Sequence, residues 1–396
     1  MNYYILTPAG WRYLKNLLSP GKYYKKILSE ILIPENDFKL FPEDYLMIND
    51  LVKIADEKNI PQLRRYKKFL KNENPVNSIN EIKFELTSGC NLKCPHCYLT
   101  GSFENDSLDF EVIKEIVSFS TEIGINRFLL TGGEPTIHKD FCELLEYFKE
   151  KNNPLEIVLF TNGWWGTGTD IQIGLKVFKN YIEFLKFLEE CKVKKIVLSI
   201  DGIGQDHDQF RNSRGLYESN INIIKEWISH GKEIEVQSIL HKRNAGYIPA
   251  FLKLMREYGV RKINLGIPEN YHNSEQFKIN KEDLAYLKEK FIEVVYEYKT
   301  GYHDLPKSCP HVLFPKTLWI KASSLVTTCC WINKEGSAYG NLKKESFISV
   351  LNNIHNSKFY QLHKAKTFHK MKNKIPPAYA KTKFRNHCGP CSLTEI

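Results

Sequence analysis

Short β-branched runs alternate with segments of helical period from Glu81 to Tyr298, and this alternation constrains the fold more than any other feature of the chain. A β-branched run favours a strand, whereas apolar residues at every third or fourth position favour a helix. The predicted strands are IKFELT (82–87), RFLLTG (127–132), EIVLFTN (156–162), KIVLSID (195–201), IEVQSIL (234–240) and KINLGI (262–267). The predicted helices lie at 108–123, 141–151, 171–191, 217–230, 248–258 and 281–298.

Six β-then-α units in a row predict an α/β fold in which helices cover a parallel sheet. The number of units fits a partial (β/α)6 barrel of the TIM-like kind. In such barrels the functional side chains gather where the strands end and the following loops begin. The residues just after each predicted strand are therefore the first candidates for a functional site.

Three cysteines follow the first predicted strand in a C-x3-C-x2-C arrangement, at Cys90, Cys94 and Cys97. Three thiolates at this spacing can hold three corners of a [4Fe–4S] cluster and leave the fourth iron open to a substrate or cofactor. A structural zinc site needs four ligands, and the only further Cys or His nearby is His96, which lies between two of the three. The spacing therefore favours a cluster over zinc.

The ends of the second and fourth predicted strands carry residues that suit a charged cofactor. Gly132 and Gly133 let backbone approach a ligand closely, and Glu134 supplies a carboxylate for an ammonium group. Ser199 and Asp201 end the fourth strand as S-x-D. The cysteine triplet, the GGEP stretch and the S-x-D on strands of one barrel together resemble the radical S-adenosylmethionine (SAM) superfamily.

The resemblance implies that SAM occupies the open iron through its amino and carboxylate groups, and that its cleavage gives a 5′-deoxyadenosyl radical. That radical would take a hydrogen atom from the substrate. The implied cofactor-binding residues are His96, Gly132, Gly133, Glu134, Asn162, Ser199, Asp201, Arg211, Gln237 and Ile267. Arg211 matches an arginine that pairs with the SAM carboxylate, for which a guanidinium is well shaped. A surface salt bridge is its alternative role.

The last quarter of the chain holds five of the ten cysteines, Cys309, Cys329, Cys330, Cys388 and Cys391. With the stretches at 340–342 and 346–353, they resemble the SPASM/twitch extension of the same superfamily. Five cysteines rather than seven imply the shorter twitch form with one auxiliary [4Fe–4S] cluster, for two clusters in all. The implied ligands are Cys309, Cys329, Cys388 and Cys391. Zinc in place of a cluster at this second site stays open, and so does a structural rather than a redox role for an auxiliary cluster.

Cys330 is left over, and three roles are open to it: an alternative ligand to Cys329, a buried residue without a role, or a thiol that donates a hydrogen atom to a substrate radical. The run Asn162–Gly166, NGWWG, resembles the NGFWG of radical SAM peptide epimerases. The resemblance implies an enzyme, a maturase of ribosomally made peptides, that epimerises L- to D-residues with Cys330 as donor. Peptide cross-linking, through thioether or C–C bonds, and dehydrogenation of a small molecule are the alternatives.

Three regions are predicted: an N-terminal helical region (1–80), the barrel (81–300) and the Cys-rich domain (301–396). Peptide-modifying members of the superfamily often bind the leader of the precursor by adding it as a strand to a small N-terminal sheet. Residues 1–80 have about the right length but show helices rather than three strands. Two roles therefore stay open for residues 1–80: a recognition domain for the leader peptide and a helical cap on the barrel.

The net charge of +10 is concentrated between 352 and 387, where eight lysines and one arginine occur without any Asp or Glu. Such a segment is either solvated surface or a dock for an acidic partner, such as a flavodoxin- or ferredoxin-type electron donor or an acidic precursor peptide. The chain shows no nucleic-acid-binding signature, so nucleic acid is not expected as a partner. Without a signal peptide or membrane span, a cytoplasmic location is expected.

Overall fold

The computed structural model describes residues 75–97, 99, 106–151, 154–266, 315–328 and 335–365, and those from Ser78 onward belong to one compact unit. The strands are β1 (Glu81–Glu85), β2 (Arg127–Thr131), β3 (Glu156–Thr161), β4 (Thr169–Ile173), β5 (Lys176–Asn180), β6 (Val193–Ser199), β7 (Glu233–Ile239), β8 (Lys262–Gly266), β9 (Thr317–Ile320), β10 (Leu325–Thr327) and β11 (Gly340–Asn341). The helices are α1 (Phe110–Glu122), α2 (Phe141–Lys149), α3 (Tyr181–Glu190), α4 (Gln205–Arg211), α5 (Leu216–Ser229), α6 (Ile248–Glu257), α7 (Phe347–Asn353) and α8 (Lys358–Lys364).

A mostly parallel sheet organises the described residues from Glu81 to Asn341, in the order β11-β10-β9-β1-β2-β3-β6-β7-β8. The six strands from β1 to β8 in this order pair in parallel with their neighbours, and each corresponds to one of the six predicted strands. Connections between parallel strands are almost always right-handed, so crossovers that each run to the adjacent strand place their helices on one face of the sheet. The predicted α/β fold with a parallel sheet is confirmed.

A stack of three phenylalanine rings fills part of the core between the sheet and its helices. Phe84 of β1 stacks on Phe128 of β2 with ring centroids 6.1 Å apart, and Phe128 stacks on Phe148 of α2 at 5.7 Å. All three side chains are buried. Large side chains of this kind each stabilise the fold by about 1.5–3 kcal/mol when removed from water.

We expect Phe128→Ala to lower the free energy of unfolding by about 3–5 kcal/mol, because it removes a ring that contacts both neighbours and leaves a cavity. Urea unfolding followed by circular dichroism measures the change. Leu175→Ala is the matched control, since that side chain is 76% exposed and its loss should change stability by less than about 0.5 kcal/mol. Equal effects of the two changes would contradict this description of the core.

The predicted helix at 171–191 is wrong in its first half. Residues 169–180 form an antiparallel hairpin, β4 and β5, as a separate two-stranded sheet, and α3 begins only at Tyr181. The hairpin buries Ile171, Ile173 and Phe178, which follow the alternating pattern of strands. Gly174 makes the turn with φ of +55°, a value that glycine adopts readily. The side chain of Asn180 then caps α3 by accepting a hydrogen bond from Glu183 N at 3.0 Å.

Strands from the C-terminal part of the chain extend the same sheet along β1. β9 runs parallel to β1, with Trp319 opposite Lys83, and β10 and β11 follow as antiparallel neighbours. Just after β9, Lys321 Nζ lies 2.5 Å from Glu85 Oε2, and both side chains are buried. This ion pair joins residues 236 positions apart. A buried charge that loses its partner is costly, so the pair ties the C-terminal strands to β1.

Several predicted features lie outside the described residues: the N-terminal region up to residue 74, the helix at 281–298, and the cysteines at 309, 329, 330, 388 and 391. Among the helices that the structure describes, none is long and apolar enough to cross a membrane. Cys142 and Cys191, which the sequence places on apolar helix faces, are both buried.

Candidate active site

The predicted site residues meet where the parallel strands end. The loop after β1, residues 86–97, contains the three cysteines and is called here the cysteine loop. The backbone of the β2 loop contacts it directly, since Gly133 N donates to Thr87 O at 2.7 Å and Glu134 N to Gly89 O at 2.9 Å. The strand ends of β1 and β2 therefore form one continuous surface, as expected for a parallel sheet.

The two glycines of the GGEP stretch are required by this loop contact. A Cβ atom on Gly133 would lie 2.0 Å from Gly89 O, and one on Gly132 would lie 2.4 Å from Thr87 O. Gly132 also has φ of +150°, at the edge of the range that L side chains rarely adopt. The close approach that the sequence predicts for a ligand is, in the structure, an approach of the cysteine loop.

We expect Gly133→Ala to separate the two loops, because its Cβ cannot fit beside Gly89 O. The strain should cost about 1–3 kcal/mol of stability and reduce iron uptake by the cysteine loop. Gly246→Ala is the matched control, since nothing lies within 4 Å of the added Cβ and φ is not positive there. Thermal unfolding and iron content measure both effects, and normal iron uptake by Gly133→Ala would contradict the assignment.

The three cysteines differ in exposure: Cys90 is exposed, Cys94 is buried and Cys97 is intermediate. A turn links the last two, since Cys97 N donates to Cys94 O at 3.1 Å. Burial raises the pKa of the Cys94 thiol to about 11, although the nearby Arg211 lowers it in part. The thiol is therefore protonated at neutral pH, and binding of a metal centre would release its proton.

Glu134 is completely buried, and its carboxylate accepts four hydrogen bonds. Oε1 accepts from Thr136 N at 3.3 Å, Thr136 Oγ1 at 2.7 Å and Thr161 Oγ1 at 2.8 Å, and Oε2 accepts from Asn162 N at 2.8 Å. Burial raises the pKa of this carboxyl above its ordinary value, and the hydrogen bonds counter part of that rise. The side chain thus joins the loops after β2 and β3. A contact between Glu134 and an ammonium group stays a prediction.

Asn162, just after β3, contacts the cysteine loop with its side-chain amide. Nδ2 lies 3.0 Å from Asn91 Oδ1 and 3.9 Å from Cys90 Sγ, and Oδ1 accepts from Trp164 N at 3.0 Å. A nitrogen donor near a cysteine sulfur is a usual neighbour of an iron–sulfur ligand. The structure therefore brings Cys90, Glu134 and Asn162 together, as the sequence predicts.

Helix α5 holds the NGWWG loop through three polar side chains that are not among the predicted site residues. Ser219 Oγ donates to Gly163 O at 2.5 Å, Asn220 Nδ2 to Asn162 O at 3.1 Å and Asn222 Nδ2 to Gly166 O at 3.2 Å. Ser219 and Asn220 are buried. In the sequence, Ser219 and Asn220 stand one turn before Ile223 and Ile224, so polar residues in register with an apolar helix face were the available signal for this contact.

Asp201 is the centre of a buried polar network after β6. Its Oδ2 accepts from Arg211 Nε at 2.7 Å, its Oδ1 from Ile239 N at 2.6 Å, and its backbone oxygen from Asn244 Nδ2 at 2.8 Å. Burial alone would raise the pKa of this carboxyl, but Arg211, together with His96 and other neighbours, holds it below its ordinary value. Arg211 is 9% exposed, so its salt bridge with Asp201 is buried and is not a surface salt bridge.

The other predicted residues lie on β6, on β7 and in the cysteine loop, or outside the described residues. Ser199 ends β6 opposite Gln237 of β7, and His96 Nε2 lies 3.8 Å from Asp201 Oδ2. Cys94 Sγ lies 3.6 Å from Arg211 O, so the second cysteine contacts the end of α4. Ile267 lies outside the described residues, as do the five C-terminal cysteines.

Comparison with known proteins identifies the domain in which these residues lie. Residues 84–244 match the model of the Radical SAM superfamily. The chain is 29% identical over 211 residues to Fe-coproporphyrin III synthase of Methanosarcina barkeri, covering 52% of this chain and 47% of that protein. It is 26% identical over 325 residues to the antilisterial bacteriocin subtilosin biosynthesis protein AlbA of Bacillus subtilis, covering 79% of this chain and 67% of that protein. The chain thus spans about half to two thirds of the length of these relatives.

Two solved structures share the fold at low sequence identity. SuiB of Streptococcus suis bound to S-adenosylmethionine has a TM-score of 0.55 at 14% identity, over 89% of this chain and 82% of that one. The structure of anSMEcpe with bound AdoMet and the Cp18Cys peptide has a TM-score of 0.53 at 16% identity, over 80% of this chain and 92% of that one. At these identities the likeness concerns the fold.

The family implies SAM and a [4Fe–4S] cluster, and the cysteine loop fits them. In the part of the chain that the structure describes, no three Cys, His, Asp or Glu side chains converge on one metal-ion position. A [4Fe–4S] cluster binds each thiolate through a different iron, so its ligands need not converge in this way. His96, which precedes Cys97 in the cysteine loop, has a buried Nδ1 without a hydrogen-bond partner among the described residues, and this suits a site that takes up a polar group. Residues 84–244 therefore form a Radical SAM domain.

Proposed function

We propose that the protein is a radical SAM enzyme that modifies a ribosomally made precursor peptide. The observation that carries this proposal is the extent of the match to AlbA, a protein of subtilosin biosynthesis, which covers 79% of the chain. The match to Fe-coproporphyrin III synthase covers only 52%. The relationship to a bacteriocin-biosynthesis protein therefore extends well beyond the Radical SAM domain, into regions that would act on the substrate.

Within the domain, we assign Cys90, Cys94 and Cys97 to the cluster. When bound there, SAM and the cluster would supply the radical chemistry needed to remove a hydrogen atom from the substrate. The chain contributes a fixed surface for SAM at the strand ends, where Asp201 holds Arg211 in one orientation. Ser199, Gln237 and the residues around Glu134 complete that surface in this proposal. A low-potential electron donor of the flavodoxin or ferredoxin class would reduce the cluster.

We assign epimerisation as the specific reaction, with Cys330 as hydrogen donor and an auxiliary cluster on Cys309, Cys329, Cys388 and Cys391 in the region 301–396. Loss of the Cα hydrogen from one face leaves a carbon radical on the peptide. Cys330 S–H gives its hydrogen atom to the other face, and the sulfur radical then takes one electron and one proton, the electron coming from the same class of donor. The NGWWG loop, held by α5 beside Cys90, is the feature of the described residues that favours this reaction.

The test is Cys330→Ala with the candidate precursor peptide, in D2O and under anaerobic conditions. We expect 5′-deoxyadenosine to form as in the wild type, because hydrogen abstraction does not need this thiol. D-residues should be lost, because the peptide radical then lacks its donor. In the wild type, deuterium should appear at the inverted Cα, since a thiol exchanges with solvent. Chiral amino-acid analysis and mass spectrometry measure both results.

Cys191→Ala is the matched control, because that cysteine is buried at the end of α3, away from the cysteine loop. It should leave the product unchanged. Unchanged D-residues in Cys330→Ala would contradict the role of Cys330. A wild-type product that lacks two hydrogens and shows no inversion would contradict epimerisation and favour an oxidative modification such as cross-linking. Turnover of a small molecule without any peptide would contradict the peptide proposal altogether.

A further inference from the structure

Three aromatic rings from three separate elements form one parallel stack beside the cysteine loop. The rings of His96 and Phe210 have centroids 4.4 Å apart and planes at 9°, and those of Phe210 and His241 are 3.7 Å apart at 7°. His96 belongs to the cysteine loop, Phe210 to α4, and His241 to the segment after β7. The stack therefore connects the loop to two elements that are far away in sequence.

The ring of His241 is fixed at its end of the stack by both nitrogens. Arg243 N donates to His241 Nδ1 at 3.3 Å, so Nδ1 is the acceptor of the ring. The proton must then be on Nε2, which lies 3.2 Å from Asp201 O and donates to it. His241 is therefore a neutral imidazole with one orientation, and it is 1% exposed.

The ring of Phe210 is fixed because Asp201 holds α4 on both sides of it. His207 Nδ1 accepts from Asp201 N at 3.0 Å, and Arg211 Nε donates to Asp201 Oδ2 at 2.7 Å. His207 precedes Phe210 by one helical turn, and Arg211 follows it directly. Phe210 itself is fully buried. The central ring cannot move without breaking buried, partly charged hydrogen bonds.

The cysteine loop is the third member of this arrangement. Cys94 Sγ contacts Arg211 O at 3.6 Å, and His96 stacks on the preceding residue of α4. Two residues of the loop thus contact two consecutive residues of one rigidly held helix. Groups behind a ligand commonly fix its orientation and tune the bound metal. We propose that Phe210 and His241 are positioning residues, which act through His96 to hold the segment from Cys94 to Cys97 in the geometry that binds an iron–sulfur cluster.

The test compares proteins reconstituted anaerobically with iron and sulfide. We expect Phe210→Leu and His96→Ala to release iron to a chelator roughly 10- to 100-fold faster than the wild type, because loss of a group behind a metal ligand typically lowers metal affinity by that factor. The change that SAM causes in the electron paramagnetic resonance spectrum of the reduced cluster should also shift. His96→Phe should restore slow release, because it retains a ring that can stack.

Phe184→Leu is the matched control, because Phe184 is an equally buried ring in α3 that contacts Trp165 and Phe178 instead. It should lower thermal stability without changing iron release or the SAM-dependent spectrum. His96→Ala lies in a loop and carries the test if Phe210→Leu does not fold. The SAM-dependent spectrum identifies the cluster concerned, so iron at an auxiliary site does not confuse the result.

The inference rests on the proposed function only in requiring a cluster on the cysteine loop, and the two can fail separately. If the wild type takes up a SAM-responsive cluster and both Phe210→Leu and His96→Ala release iron at the wild-type rate, the positioning role alone is overturned. Equal acceleration by Phe210→Leu and Phe184→Leu, with no effect of His96→Ala, overturns it as well. A wild type that takes up no such cluster overturns the proposed function and this inference together.

Discussion

Asp201→Ala is expected to lower the free energy of unfolding by about 3–5 kcal/mol, because it leaves the buried guanidinium of Arg211 without its partner. The change also removes the acceptor of Ile239 N, whose hydrogen bond to Asp201 Oδ1 is 2.6 Å long. Urea unfolding measures the loss. Glu257→Ala is the matched control, since its pair with Lys253 is exposed and 3.8 Å long. An exposed pair of this kind contributes about 0–1 kcal/mol.

The pH dependence of this effect has a definite direction. In the folded protein the pKa of Asp201 is below its value of 3.8 in an unperturbed side chain. A carboxyl with a lowered pKa stabilises the fold at any pH above its unfolded value, and this stabilisation is lost as the pH falls through the folded value. The difference between wild type and Asp201→Ala should therefore be constant near neutrality and shrink only in acid below about pH 4. A difference that shrinks between pH 6 and 8 would contradict the assignment.

Cys94→Ala should remove about four iron atoms per chain after reconstitution, because one corner of a [4Fe–4S] cluster is lost. No 5′-deoxyadenosine should form from SAM above a blank without protein. Cys142→Ala is the matched control: that thiol is also buried, and it donates to Ile173 O at 3.5 Å, away from the cysteine loop. It should retain iron and SAM cleavage. Normal SAM cleavage by Cys94→Ala would contradict the cluster assignment.

The hydrophobic pattern was sufficient to predict the strands, because several parallel strands are buried on both faces and therefore appear as continuous apolar runs, such as Phe128, Leu129 and Leu130 in β2. It failed at 171–180, where Ile171, Ile173, Leu175 and Phe178 satisfy a helical spacing almost as well as an alternating one. The turn at Gly174, with its positive φ, decided in favour of the hairpin. A single glycine inside an apolar run does not reveal its φ from sequence alone.

The site was predicted to the extent that its residues stand next to strand ends. Cys90, Glu134 and Asn162 meet as expected because parallel strands end at the same edge of the sheet. The network around Asp201 was not predicted, since His207, His241 and Asn244 join it from other elements. Pairings of this kind depend on tertiary packing, which leaves no periodic or spacing pattern in the sequence. The ion pair of Glu85 and Lys321 was not predicted, for the same reason.

The central claim is that the cysteine loop carries a cluster that binds and cleaves SAM. Electron paramagnetic resonance of the reduced, reconstituted protein, recorded with and without SAM, tests it most directly. The claim predicts the spectrum of a reduced [4Fe–4S] cluster that changes when SAM is added, with no such change in Cys94→Ala. A wild-type spectrum that is the same with and without SAM would contradict the claim.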